Sequence, residues 1–171
     1  MTTLTDFFVP DHLAAEDSLE TRRARISVQT VFFLSVWGPI AGLIYWFGGS
    51  LGATITVLTG TVLLATAPFL LKWTGSLKLS GTWLLVVLSG LLMSLSFFFG
   101  GLKAPPLSWL LLVPVFAVLF HGIKTGVVWL GIIFLCWTGF AVAEFTGYPF
   151  AQQLGAGFAE AHRVIEIVGL G

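Results

Sequence analysis

The chain has 171 residues, 57% of them hydrophobic and 9% charged, and its basic and acidic side chains cancel to a formal charge of zero. Such a composition excludes an ordinary soluble domain, and the lack of a basic excess excludes an electrostatic footprint for nucleic acid. The single cysteine, Cys136, lies inside an apolar run, so no disulfide framework forms within the chain and a small buried hydrophobe is expected there.

Residues 1–25 form the only hydrophilic stretch of any length, with Phe7, Phe8 and Val9 followed by the chain-breaking Pro10. They lack the apolar core of a cleavable signal peptide, so the first span is expected to act as the insertion signal. Asp17 followed by Glu20 predicts a helix N-cap with its capping-box partner. A short cytoplasmic N-terminal helix is therefore expected to start near Ser18 and run unbroken into the membrane. Arg22, Arg23 and Arg25 precede that span and suit phosphates at a membrane surface or a regulatory contact to a partner domain.

From residue 26 onward the chain is a succession of apolar runs, each supplying much of the roughly 20 residues that a bilayer-crossing helix needs. Spans are predicted over about 27–47, 51–71, 79–99, 107–120 and 127–145. The first holds Gly38-Pro39, which predicts a kink, and Gly38 with Gly42 forms a GxxxG that permits close helix approach. The second follows a tight Gly48-Gly49-Ser50 turn, and Lys72–Lys78 reads as a polar loop. In the third, Ser89, Gly90, Ser94 and Ser96 suit a packed helix face. Gly100 to Pro106 is expected to be irregular backbone. The fourth span is short and carries Pro114; Gly122 to Gly126 forms the next turn, and Tyr148-Pro149 ends the fifth span. A further apolar run opens at Val164, the expected beginning of a sixth span. The fold class is thus all-α: a polytopic membrane helix bundle over 26–171, with five complete spans plus the start of a sixth.

Lys and Arg favour cytoplasmic loops. With the N-terminus inside, Arg22, Arg23, Arg25, Lys72, Lys78 and Lys124 lie on the cytoplasmic side, against Lys103 and Arg163 outside. A multi-pass protein of a bacterial inner membrane with a cytoplasmic N-terminus is expected. Trp46 and Trp109 at one face and Trp73 and Trp83 at the other fit aromatic belts; Trp37, Trp129 and Trp137 lie deeper and need packing or partners.

No metalloprotease, P-loop, nucleophile-elbow or kinase motif occurs, and no metal site, cofactor or enzymatic activity is expected of the chain itself. Ionisable residues inside a span are candidate functional sites. Glu144 lies near the outer end of the fifth span, His121 at the inner end of the fourth, and Glu160 and Arg163 are spaced as a helical ion pair. The stretch Gly100–Trp109 with Pro114 reads either as an ordinary connection with interfacial anchors or as a ligand pocket near the outer surface. Phe97, Phe98, Trp109, Pro114 and Phe116 are its expected lining, with Glu144 as a polar partner.

Phe7-Phe8-Val9-Pro10, then Glu20-Thr21-Arg22-Arg23-Ala24-Arg25, the Trp73-Thr74-Gly75-Ser76 loop, Gly100-Gly101, Pro105-Pro106, Trp109, Pro114 and Gly122 follow one another in an order that resembles the N-terminal six-helix transmembrane sensor region of bacterial sensor histidine kinases. Similar regions precede some adenylate and diguanylate cyclases. The resemblance implies an input domain of a two-component system. Such a domain binds a small-molecule signal in the lipid bilayer and relays it, through a homodimer of the parent protein, to a cytoplasmic effector. Those receptors complete a sixth helix and continue into a kinase or cyclase; His162 does not stand in a phosphoacceptor context. A membrane anchor of a nucleotide cyclase and a small transporter or channel subunit are the alternatives.

Overall fold

A computed structural model describes residues 7–10 and 19–150, and these are helical apart from short connections and the segment 7–10. Six α-helices follow in order: α1 (Leu19–Phe47), α2 (Leu51–Thr74), α3 (Leu77–Phe98), α4 (Pro105–Trp109), α5 (Leu112–His121) and α6 (Ile123–Phe145). A single 3-10 turn, Gly101–Lys103, lies between α3 and α4. Four of these helices (α1, α2, α3 and α6) are long and apolar enough to cross a membrane, and Pro105–His121 is a shorter apolar segment. The described residues form an all-helical bundle with the build of a multi-pass membrane protein. The expected sixth span, Asp17, His162 and the Glu160–Arg163 pair lie outside the described residues.

The helices pack mainly on their sequence neighbours: α1 on α2, α2 on α3, α3 on α4 and α5, and α5 on α6. Within a bilayer there is little hydrophobic drive between helices, so close approach depends on small residues. A methyl group on Gly38 would overlap Thr61 of α2, and one on Gly42 would lie 3.0 Å from Leu58. The predicted GxxxG is therefore used within the chain, as the seat of α2 on α1. Gly60 seats Leu91 of α3, Gly81 seats His121 of α5, and Gly126 seats Val118. The main core joins Leu84, Leu85 and Leu88 of α3 to Leu107, Leu110, Val113 and Phe120, and to Ile133 and Phe140 of α6.

Four connections differ from their sequence expectation, each for a local reason. The expected polar loop 72–78 contracts to Gly75-Ser76. Gly75 adopts the left-handed conformation (φ 65°) and its N–H donates to the Leu71 carbonyl, closing α2. Ser76 then accepts from the Leu79 N–H and opens α3 at once. The irregular stretch after α3 stops at Ala104, because Pro105 and Pro106 occupy the first positions of α4, where no backbone donor is needed. The expected single helix 107–120 is broken at Leu110-Leu111. Pro114 offers no N–H to the Leu110 carbonyl and its ring crowds that oxygen. The chain there shifts to tighter bonds, from Leu110 N to Leu107 O, Leu111 N to Ser108 O and Val113 N to Leu110 O. Finally, the expected turn Gly122–Gly126 contracts to Gly122, whose positive φ (93°) ends α5 so that α6 starts at once at Ile123; it stops at Phe145, the expected end. In α1, by contrast, the helix is continuous through Pro39.

The short segment Phe7–Pro10 folds back on the bundle. Val9 is buried with Ala24, Val28 and Leu71. The Phe8 ring meets Phe32 and Phe69 edge-on, and Lys72 Nζ lies 3.2 Å from the Phe7 ring centre, a cation–π contact.

Candidate functional site

The break at Leu110-Leu111 places two aromatic side chains, Trp109 at the end of α4 and Phe116 on α5, opposite α1. Between them lies an apolar crevice of about 270 Å³, walled by α1, α2, α3 and the α4–α5 segment. Its floor is Leu64 of α2 with Leu88, Leu91 and Leu95 of α3. Phe33 and Trp37 of α1, and Trp109 and Leu112 opposite, line it while remaining exposed. The mouth therefore opens sideways, through the apolar flank of the bundle.

Its chemistry is almost entirely apolar. Thr30 and Thr61 reach the lining, but each donates its hydroxyl hydrogen to a carbonyl of its own helix, Ile26 and Val57, both at 2.8 Å. That is the usual way a hydroxyl is satisfied in an apolar helix, and it takes both donors away from the crevice. Tyr45 closes one end and packs against Phe99. A volume of this size, lined by aromatic and branched side chains, suits a small apolar molecule or part of an alkyl chain.

The sequence-predicted residues divide between several places. Trp109 and Phe116 line the crevice. Phe98 turns the other way, against Gly52 and the Tyr45 cluster. Phe97 belongs to an aromatic group with Tyr148 and Phe150, ring centres 5.6 and 5.4 Å away. Pro114 faces α6 beside Gly126, in a shallow apolar depression separate from the crevice. Glu144 is remote from it as well: one carboxylate oxygen lies 3.5 Å from Lys103 Nζ, tying α6 to the 3-10 turn, and the other is buried without a hydrogen-bond partner. The wall contributed by α1 was not among the candidates. Trp37 was its visible signal, an aromatic deep in a span with no evident interface to occupy.

At the Arg23 end of the bundle a second polar grouping forms. His121, the terminal residue of α5 beyond the predicted span, sits against Gly81 of α3, and its Nε2 is buried without a hydrogen-bond partner. Burial, and then the positive charges of Arg23 and Lys78, push its imidazole below the ordinary range. Trp83, nearer this end, is anchored by its indole N–H donating to Thr66 Oγ1 at 3.0 Å and to the Leu63 carbonyl at 3.2 Å. Comparison with protein-family models, with curated proteins and with solved structures gave no match.

Proposed function

We propose that the chain is the membrane-embedded input domain of a bacterial two-component histidine kinase, and that the sideways-opening crevice is its signal site. The bundle crosses the inner membrane with its N-terminus in the cytoplasm. The α4–α5 segment serves as a span despite its break. The observation that carries the signal site is the crevice itself: an apolar cavity with engaged hydroxyls, reachable from the bilayer. The kinase assignment rests on the order of sequence motifs from Phe7 to Gly122.

A small apolar signal reaches the site by partitioning into the lipid and entering between Trp37 and Trp109. Four chain segments meet there, so an occupant that favours one packing of α1 against α4–α5 over another shifts the population of the two. The coupled output is a change in the relation of the helices that lead to a cytoplasmic effector.

The test joins the chain in frame to a histidine-kinase catalytic module and reconstitutes it in vesicles. Autophosphorylation is expected to respond to one member of a panel of small apolar compounds. Leu91→Trp, which fills the crevice, is expected to abolish that response while leaving basal phosphorylation in place. Solute or ion flux carried by the 171-residue chain alone, or a response that survives Leu91→Trp, would overturn the assignment in favour of a transporter or of a signal site elsewhere.

A further inference from the structure

At the Arg23 end of the bundle, basic side chains from separate helices come together. Arg23 projects from α1 beside Gly122 at the end of α5, and Lys78, in the first turn of α3, lies one turn before Gly81, on which His121 sits. Of the other basic groups, Lys103 is paired with Glu144, Lys72 lies on the Phe7 ring, and Arg22 and Lys124 are exposed. Neither Arg23 nor Lys78 has an acidic partner within 4 Å among the described residues. Glu20, one turn before Arg23 on the same helix, is exposed.

Backbone donors add to the cluster. Gly122 (φ 93°) separates α5 from α6, and the first turn of α6 has no side-chain cap. A methyl group on Gly122 would lie 3.8 Å from Arg23 Nη2, so the guanidinium lies close to the amide end of a 23-residue helix. Both carry positive charge, and like charges repel unless an anion lies between them. The buried Nε2 of His121 is a further unpaired group beside them. A guanidinium, an ammonium and free helix N–H groups are the donors that bind tetrahedral oxyanions.

We propose that Arg23, Lys78, His121 and the amide end of α6 form a binding site for a phosphate group at the rim of the bundle. The group comes either from an anionic phospholipid of the adjacent leaflet or from a soluble phosphate compound. Arg23 shares its stripe of α1 with Thr30, which lines the crevice seven residues on, an arrangement that accommodates a headgroup and chain together. The site does not depend on the signal assigned to the crevice.

The test uses the full chain in detergent, with native mass spectrometry to count retained phosphatidylglycerol against phosphatidylcholine. Wild type is expected to retain phosphatidylglycerol selectively. Arg23→Gln and Lys78→Gln are each expected to weaken retention about fivefold, the effect of one basic group near a charged headgroup. Arg22→Gln, an exposed neighbour with the same formal charge change, is expected to leave it nearly unchanged. Lys78 is exposed, so its replacement tests the site without threatening the fold. A second titration with inorganic phosphate separates the sources. Competition by phosphate assigns the site to soluble phosphates, and its failure assigns the site to lipid. Equal losses in Arg22→Gln and Arg23→Gln, or no retention of either probe, would overturn the site and leave only general surface attraction.

Discussion

The inner helices α2 and α3 and the outer helices α1 and α6 are all apolar enough to cross a bilayer, yet they are used differently. In the apolar stretches of α2 and α3, 39% of residues are buried, against 17% in α1 and α6. What separates them is where small and hydroxyl residues fall. Ser80, Ser89 and Ser96 of α3 and Thr54 of α2 are all buried. Ser80 donates across to the Ala67 carbonyl of α2 at 2.7 Å, while Ser89 donates to Leu85 O within its own helix. On α6, Phe134 and Leu135 are exposed. Buried hydroxyls also occur near the start of α1, at Thr21 and Ser27, so what marks α3 is that small polar residues recur along its whole length.

The largest effect expected from this division is in the core. Leu84→Ala removes a fully buried side chain and should cost about 2–5 kcal/mol. Leu135→Ala, on the outer face of α6 at 71% exposure, should stay within about 0.5 kcal/mol. Unfolding in mixed micelles checks both, and equal losses would erase the distinction between inner and outer helices.

Glycine seats sharpen the same comparison within one helix. On Gly126 a methyl group would overlap Val118 and lie 3.2 Å from the Pro114 carbonyl, whereas nothing lies within 4 Å of one on Gly131. Gly126→Ala should destabilise by about 1–3 kcal/mol through overpacking. Gly131→Ala should stabilise by about 0.5–1 kcal/mol, the usual helix gain over glycine. Opposite signs in the same unfolding assay are the expected result. The smallest effect is at the far end of α6: Glu144→Gln breaks a pair whose lysine is largely exposed. It should shift stability by less than about 1 kcal/mol, and less still at high salt.

Much of the architecture was legible in the chain. The apolar runs located α1, α2, α3 and α6 to within a few residues, and Gly38 with Gly42 marked a real helix contact. The break in the fourth run was harder to read. Pro114 announced a short segment, but proline also occurs in α1 and α2 without interrupting them. The outcome depends on whether neighbours satisfy the freed carbonyl. The crevice was half legible: Trp109 and Phe116 carried a local signal, being close in sequence to the Gly/Pro-rich turn. Its α1 wall is brought there only by tertiary packing: Trp37, deep in its span, was the one hint, and no pattern in the sequence distinguishes Phe33 from a lipid-facing aromatic.

The central claim is that the crevice, unlike the outer face of α6, is a binding site and not merely lipid-facing surface. A photoactivatable diazirine fatty acid, incorporated into nanodiscs with the chain, compares the two directly by peptide mapping. Labelling around Trp37 is expected to be displaced by excess unlabelled fatty acid and lost in Leu91→Trp, while labelling around Phe134 and Leu135 is expected to respond to neither. Labelling that is equally undisplaced at both places, or that persists around Trp37 in Leu91→Trp, would contradict the account.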